Sequence, residues 1–309
     1  MRFIQTTDLI PGMMVGREVV SRDGITLLDE NACLTKTQID QLLCWGVQFL
    51  CINDERDVKK DFIKKYDEVV EVVKEIFANV QQSGRIPLAK IHDLVDQMIS
   101  PLINTTEVLD YLYEVKRHSD YTFQHSVHVA VITGVFSSWL NYSDEEYKNL
   151  VMAGLLHDIG KICVPLSILD KPGHLLASEF ETIQKHPEAG YNSLKSSTGI
   201  CKGTKLGVLQ HHERIDGSGY PFGVKGCEIH EYAKIVAIAD IYDAMTSDRA
   251  YRRKLTPFIA MKSIEEEMHS KLDTSICLTI LTNMRNYFLG IGVQLSNGEK
   301  FIRDWRAVK

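Results

Sequence analysis

From residue 57 to about residue 82, apolar side chains recur at intervals of three and four: Phe62, Tyr66, Val69, Val70, Val73, Ile76 and Phe77. That period marks one face of an α-helix. Upstream the texture differs. The stretch "MVGREVVSRDGITLLD" has short apolar runs on either side of Asp23-Gly24, which predicts two strands joined by a hairpin turn. "LTKTQIDQLLCWG" predicts a short helix with Thr35 as its N-cap and Gly46 as its stop, and "VQFLCI" predicts a further strand. Residues 1–55 thus read as a small α+β module, with a helical linker region over 56–104.

The rest of the chain is expected to be mostly helical, which makes the fold class mainly α. Candidate helices span 88–103, 105–117, 121–140, 144–157, 178–195, 203–212, 230–246, 256–269 and 274–288. Pro165, Pro172 and the Gly217–Gly226 stretch interrupt them. The tail "GVQLSNGEKFIRDW" places Asn297-Gly298 between apolar positions and predicts a closing hairpin. A helix as long as the one from residue 57 either lies on its own domain or packs against a second copy of the chain.

Composition narrows the function classes. Of 309 residues, 44% are hydrophobic and 25% charged, ordinary for a globular protein. The formal net charge of -6 argues against a surface that coats a nucleic-acid polymer. A phosphate-bearing ligand would have to be met locally by metal ions or a few basic side chains. The cysteines Cys33, Cys44, Cys51, Cys163, Cys201, Cys227 and Cys277 are odd in number and scattered, so reduced thiols are expected. No apolar run reaches the ~18 residues of a membrane span, and the start "MRFIQTTDLIPG" has no signal-peptide core. The expected location is the cytoplasm.

The histidines and aspartates carry the candidate chemistry. His157-Asp158 closes the apolar run "LVMAGLLHDIGK", where Ile159-Gly160 supplies a helix end that lets both side chains reach one point. His125 and His128 both lie in the apolar "YTFQHSVHVAVITG", and either one is a candidate. His186 precedes Pro187 in "QKHPEAG", within the expected helix 178–195. His211-His212 opens the glycine-rich "HHERIDGSGYP", and Asp240 interrupts the apolar "KIVAIADIYDAMTSD". A carboxylate inside an apolar helix needs a partner. Imidazole and carboxylate together suit divalent iron, manganese, zinc and related ions. Five histidines and two aspartates, with Asp158 bridging, are enough for two ions that activate a hydroxide for in-line attack on phosphorus. His92, His118, His174, His230 and His269 are taken as surface or local hydrogen-bonding residues.

In this order and spacing, "HDIGK", "KHPE", "HHERIDGSGYP" and "IADIYDAMTSDRAYR" resemble the HD-GYP domain, a branch of the HD phosphohydrolase superfamily. The resemblance covers about residues 105–290, and it implies an HD-GYP domain over 105–309 with an all-helical metal-binding fold. It implies a phosphodiesterase that opens cyclic di-GMP to pGpG and/or GMP. It implies two divalent ions, iron or manganese, held by His125, His157, Asp158, His186, His211, His212 and Asp240. It thereby favours His125 over His128. Asp158 and Lys161 take catalytic roles in this reading, while Lys161, Gly219, Tyr220, Pro221, Arg249 and Arg252 contact substrate.

Two departures matter. Where some members carry a glutamate that helps bind a third ion, this chain has Tyr121, so two ions are expected and not three. Ala250 stands where a proline is common. The competing readings are a cyclic di-GMP sensor that does not turn over and a phosphodiesterase for another cyclic dinucleotide such as cyclic GMP-AMP. The expected partners are the dinucleotide, a second copy of the chain through the helical linker, and a protein partner for the N-terminal module.

Overall fold

Thr35 accepts a hydrogen bond from the Gln38 amide while Gln38 reaches back to the Thr35 amide, a reciprocal cap that starts a helix where the sequence places one. The computed structural model describes residues 2–20, 26–53, 55–105, 107–115, 121–169, 171, 173–248, 253–288, 292–294 and 300–302. The chain divides into two compact units, residues 1–67 and 68–309. The first holds strands β1 (Arg2–Gln5), β2 (Met14–Val15), β3 (Val19–Val20) and β4 (Thr26–Leu28), helix α1 (Lys36–Cys44) and strand β5 (Phe49–Asn53). β5 lies between β1 and β2 and runs antiparallel to both. β3 and β4 pair as an antiparallel ribbon, and the Asp23-Gly24 turn lies outside the described residues. Val15, Leu28, Leu34, Ile39, Leu42, Leu50 and Ile52 form the core of this unit.

Helix α2 (Glu55–Ser83) runs through the boundary between the units. Its apolar positions Val69, Val70, Val73, Ile76 and Phe77 are buried, and Phe77 meets Phe123 edge to face at 5.5 Å. The C-terminal half of this helix therefore lies on its own unit.

The second unit continues with α3 (Leu88–Leu94) and α4 (Ser100–Ile103), joined by a π-helical turn over Val95–Ile99. Then come α5 (Val108–Glu114), α6 (Tyr121–Trp139), α7 (Asp144–Leu156), α8 (Leu166–Leu169), α9 (Ala177–Ile183) and α10 (His186–Lys195). Next are α11 (Lys202–Gln210), α12 (Glu231–Thr246), α13 (Pro257–Glu267) and α14 (Thr274–Tyr287). An antiparallel pair follows, β6 (Gly292–Gln294) with β7 (Lys300–Ile302), while Asn297-Gly298 lies outside the described residues. The fold is mainly α, as expected. α6 is apolar and buried on nearly every side, the signature of a central helix. α7 and α12 pack on it, and α11 packs on both. Among the described residues no helix is long and apolar enough to cross a membrane.

One expected helix, 178–195, is two. α9 stops at Ile183 and α10 begins at His186, with Pro187 inside its first turn. Proline has no amide hydrogen to give and its ring excludes the preceding turn, so it opens a helix and cannot sit in the middle of one. His186 therefore stands at a helix start, where its ring is free to turn inward.

A tight crossing fixes that start. A Cβ at Gly160, in the 3-10 turn after α7, would collide with the His186 carbonyl and the Gly190 amide nitrogen. Gly160→Ala should push α10 away and cost about 1–3 kcal/mol of stability. Thermal unfolding checks this, and an unchanged Tm would contradict the crossing.

Candidate metal centre

Five helix ends or faces meet at one buried point. α6 presents His125. The C-terminus of α7 presents His157 and, one residue on, Asp158. α10 presents His186, the residues after α11 present His211 and His212, and α12 presents Asp240. A ligand atom from each of Asp158, His186, His211 and His212 lies within 4.8 Å of the others, and the same holds for His125, His157 and Asp158. Asp240 adjoins both groups, 3.1 Å from His125 Nε2 and 3.9 Å from His212 Nδ1. All seven side chains that the sequence singled out as ligands are thus brought together. His128 belongs to neither group.

The hydrogen bonds behind the rings decide where the lone pairs point. Nδ1 of His157 lies 2.7 Å from the Gly154 carbonyl, Nδ1 of His186 2.7 Å from the Ile183 carbonyl, and Nδ1 of His211 2.8 Å from the Val208 carbonyl. A carbonyl only accepts, so each Nδ1 carries the proton and donates. In the neutral ring Nε2 is then bare. Yet His186 Nε2 and His211 Nε2 face each other at 3.2 Å, and His186 Nε2 faces Asp158 Oδ1 at 3.1 Å. With both rings neutral, their electron pairs converge on one point. The arrangement is repulsive for neutral rings and attractive around a divalent cation.

Asp158 is 1% exposed. Burial alone would raise its pKa, but His157 and Lys161 beside it hold the carboxylate well below its usual range. Lys161 Nζ donates to Asp158 Oδ2 at 2.5 Å. Burial and the neighbouring His212 push His211 well below the ordinary imidazole value, so that ring stays neutral. His125 behaves differently. Burial would lower it, but Tyr121, Asp240 and Asp243 outweigh burial and push it up to about 10. A bound metal would have to displace that proton. The donor set of neutral nitrogens and anionic oxygens fits a divalent transition metal.

One residue escaped the sequence reading. Asp243 sits one turn after Asp240 on α12, and its two oxygens lie 2.6 Å from His125 Nδ1 and 2.7 Å from His128 Nδ1. The Ser247 hydroxyl also donates to it at 2.7 Å. An ionised carboxylate only accepts, so it fixes the proton of His125 on Nδ1 and turns Nε2 toward the cluster. The signal was present: a second acid at i+3 on the same apolar helix, and a second histidine at i+3 on α6. His128 shares the carboxylate behind the centre.

The glycine loop covers one side. Tyr220 stacks on His212 at 4.6 Å and 30°, and Glu213 accepts from the Phe222 amide at 2.8 Å. A Cβ at Gly219 would strike the backbone of His212, Glu213 and Arg214, so only glycine lets the loop fold this close. Tyr121 lies parallel to His125 at 5.8 Å between ring centres. Arg249, Arg252 and Asp120 lie outside the described residues.

Comparison with known proteins finds a matching family and several curated relatives. The HD domain family matches residues 104–276. The chain is 33% identical over 223 residues to the cyclic di-GMP phosphodiesterase PA4108 of Pseudomonas aeruginosa, covering 72% of this chain and 54% of that protein. It is 36% identical to the 3'3'-cGAMP-specific phosphodiesterase 1 of Vibrio cholerae, covering 56% and 40% of the two chains. It is 43% identical to the cyclic di-GMP phosphodiesterase response regulator RpfG of Xanthomonas campestris, covering 40% and 33%. The chain thus spans about half the length, or less, of these relatives. Among solved structures, Bd1817, an HDG"Y"P protein from Bdellovibrio bacteriovorus, has the same fold with a TM-score of 0.60 at 16% identity, covering 92% of this chain and 99% of that one.

Two outcomes follow from the hydrogen bonds. Asp243→Asn leaves an amide that cannot accept from both imidazoles, so metal affinity should fall about 10–100-fold in a chelator competition. Equal affinity would contradict the orienting role. Metal uptake at neutral pH should release about one proton per chain from His125, and it should strengthen as pH rises. Calorimetry in buffers of different ionisation enthalpy reads this, and zero release would contradict it.

Proposed function

We propose, because this chain belongs to the HD domain family and carries the motif set of its HD-GYP branch, that it is a metal-dependent phosphodiesterase that hydrolyses cyclic di-GMP to pGpG and/or GMP. The observation that carries the reading is the convergence of imidazole nitrogens on the buried Asp158. His186, His211 and His212 with Asp158 would hold one ion, and His125, His157 and Asp240 with Asp158 the other. When bound, iron or manganese ions so placed supply an activated water and neutralise charge on phosphorus.

The chain's own residues do the rest. Asp158 joins the two halves of the ligand set. Burial would lower the Lys161 pKa, but its pairing with Asp158 raises it, so Lys161 stays cationic beside the cluster. There it can meet a phosphate oxygen that the net negative charge of the chain would otherwise repel. Tyr220 stacks on His212, and with Gly219 and Pro221 it would border the substrate there. Arg249 and Arg252 belong to the same substrate set through the motif they follow. Hydrolysis adds one water across a phosphorus–oxygen bond and opens the ring, leaving a terminal phosphate and a free hydroxyl.

The relatives named for 3'3'-cGAMP support a second reading, in which the substrate is cyclic GMP-AMP. In the module of residues 1–55, Phe3, Trp45 and Phe49 are exposed, and they suit a regulatory protein partner. Self-association through the linker helix would have to use faces other than its buried apolar one.

Metal-loaded protein incubated with cyclic di-GMP, cyclic GMP-AMP and cyclic di-AMP, with products separated by chromatography, tests the proposal. Linear products from cyclic di-GMP are expected. Binding with no product from any of the three would make the protein a sensor instead. Asp158→Asn should abolish turnover and strip metal, since a neutral amide cannot balance two cations. Near-normal turnover with full metal content would sink the mechanism. Tyr220→Ala should raise KM and keep the metal, because the phenol is not among the ligands. Loss of metal with unchanged turnover would overturn that role.

A further inference from the structure

The stacked pair His212–Tyr220 does not end at Tyr220. Phe180, in the middle of α9, meets the Tyr220 ring edge to face at 6.4 Å and 76°. Ring therefore follows ring from His212, through Tyr220, to a phenyl group that is 46% exposed. Leu176, the extended residue that caps α9, is 63% exposed, so a second large apolar side chain is open to water near the start of this helix. That start is firmly held. Glu179 accepts from the Leu176 amide at 2.7 Å and from Lys171 Nζ at 2.6 and 2.8 Å. A large aromatic that is nearly half exposed while it packs on Tyr220 keeps spare apolar area.

We propose that Phe180 is a base-binding residue: its exposed face receives one nucleobase of the substrate while the phosphodiester lies at the His/Asp cluster. This rests on the phosphodiesterase reading and deepens it. A nucleobase is the occupant that the surroundings favour. It is flat, apolar on its faces and joined by a sugar to the phosphate that the cluster would hold. The aromatic path is continuous with that cluster through Tyr220. Stacking is tolerant of base identity because every base has a π-face, so Phe180 would add affinity without choosing between guanine and adenine. Discrimination between cyclic dinucleotides would have to come from polar groups elsewhere.

The test uses full-length metal-loaded protein with Phe180→Ala, Phe180→Leu and Phe180→Trp, and reads metal content, KM and kcat with cyclic di-GMP. The Ala variant should raise KM about tenfold, the scale of one lost base–aromatic stack, with kcat little changed and metal content intact. Leu keeps apolar bulk without a π-face and should stay impaired, whereas Trp should restore KM. In a separate titration of metal-free protein, Phe180→Trp should add indole emission to that of Trp45, Trp139 and Trp305, and cyclic di-GMP should quench it by more than it quenches the wild-type chain. Unchanged KM in Phe180→Ala, or full recovery in Phe180→Leu, would overturn the stack and leave Phe180 as packing for Tyr220. If the wild-type chain hydrolyses no cyclic dinucleotide, the phosphodiesterase reading fails. The quench would then still decide Phe180 by itself: its presence upholds the base subsite and its absence removes it.

Discussion

The site depends on one electrostatic constraint: imidazole nitrogens are held about a hydrogen-bond length apart around a buried carboxylate. His186 and His211 meet at 3.2 Å through the nitrogens that their carbonyl bonds leave bare. Burial and the neighbouring His212 keep His211 neutral, and a divalent cation would accept the lone pairs that meet there. The surrounding helices must impose that arrangement.

They impose it by being apolar and tightly crossed. α6 is buried along most of its length and offers His125 from within the core. α7 is capped at its start by Ser143 with Glu146, and it ends where His157 and Asp158 are needed. Gly160 lets the next turn touch α10, and Pro187 forces α10 to begin at His186. Behind the rings, three main-chain carbonyls and Asp243 hold the imidazole protons outward. Each is a backbone atom in a helix or a side chain in a packed interior, so the ring orientations are set by folding and do not wait for a ligand.

Much of this was legible because polar residues are costly in apolar helices. Asp240 in "KIVAIADIYDAMTSD" and His157-Asp158 after "LVMAGLL" stand out against their surroundings. The capped helix after Thr35 and the strand that ends at Asn53 were legible for a different reason, local capping and turn chemistry. Three features were not. The break between α9 and α10 was missed because helical periodicity continues across Gln184 and Lys185, and the weight of Pro187 was underestimated. Asp243 was missed because one acid in an apolar helix already had an explanation, and a second at i+3 reads as the same polar stripe. Phe180 could not be found at all, since its meaning comes from contact with Tyr220, forty residues further along the chain.

Anomalous diffraction from crystals grown with manganese or iron tests the central claim most directly, because it locates ions independently of activity. Two peaks about 3.5–4 Å apart are expected, one among Asp158, His186, His211 and His212 and the other among His125, His157, Asp158 and Asp240. No peak at full metal supplementation, with the rings still turned Nε2 to Nε2, would contradict the account.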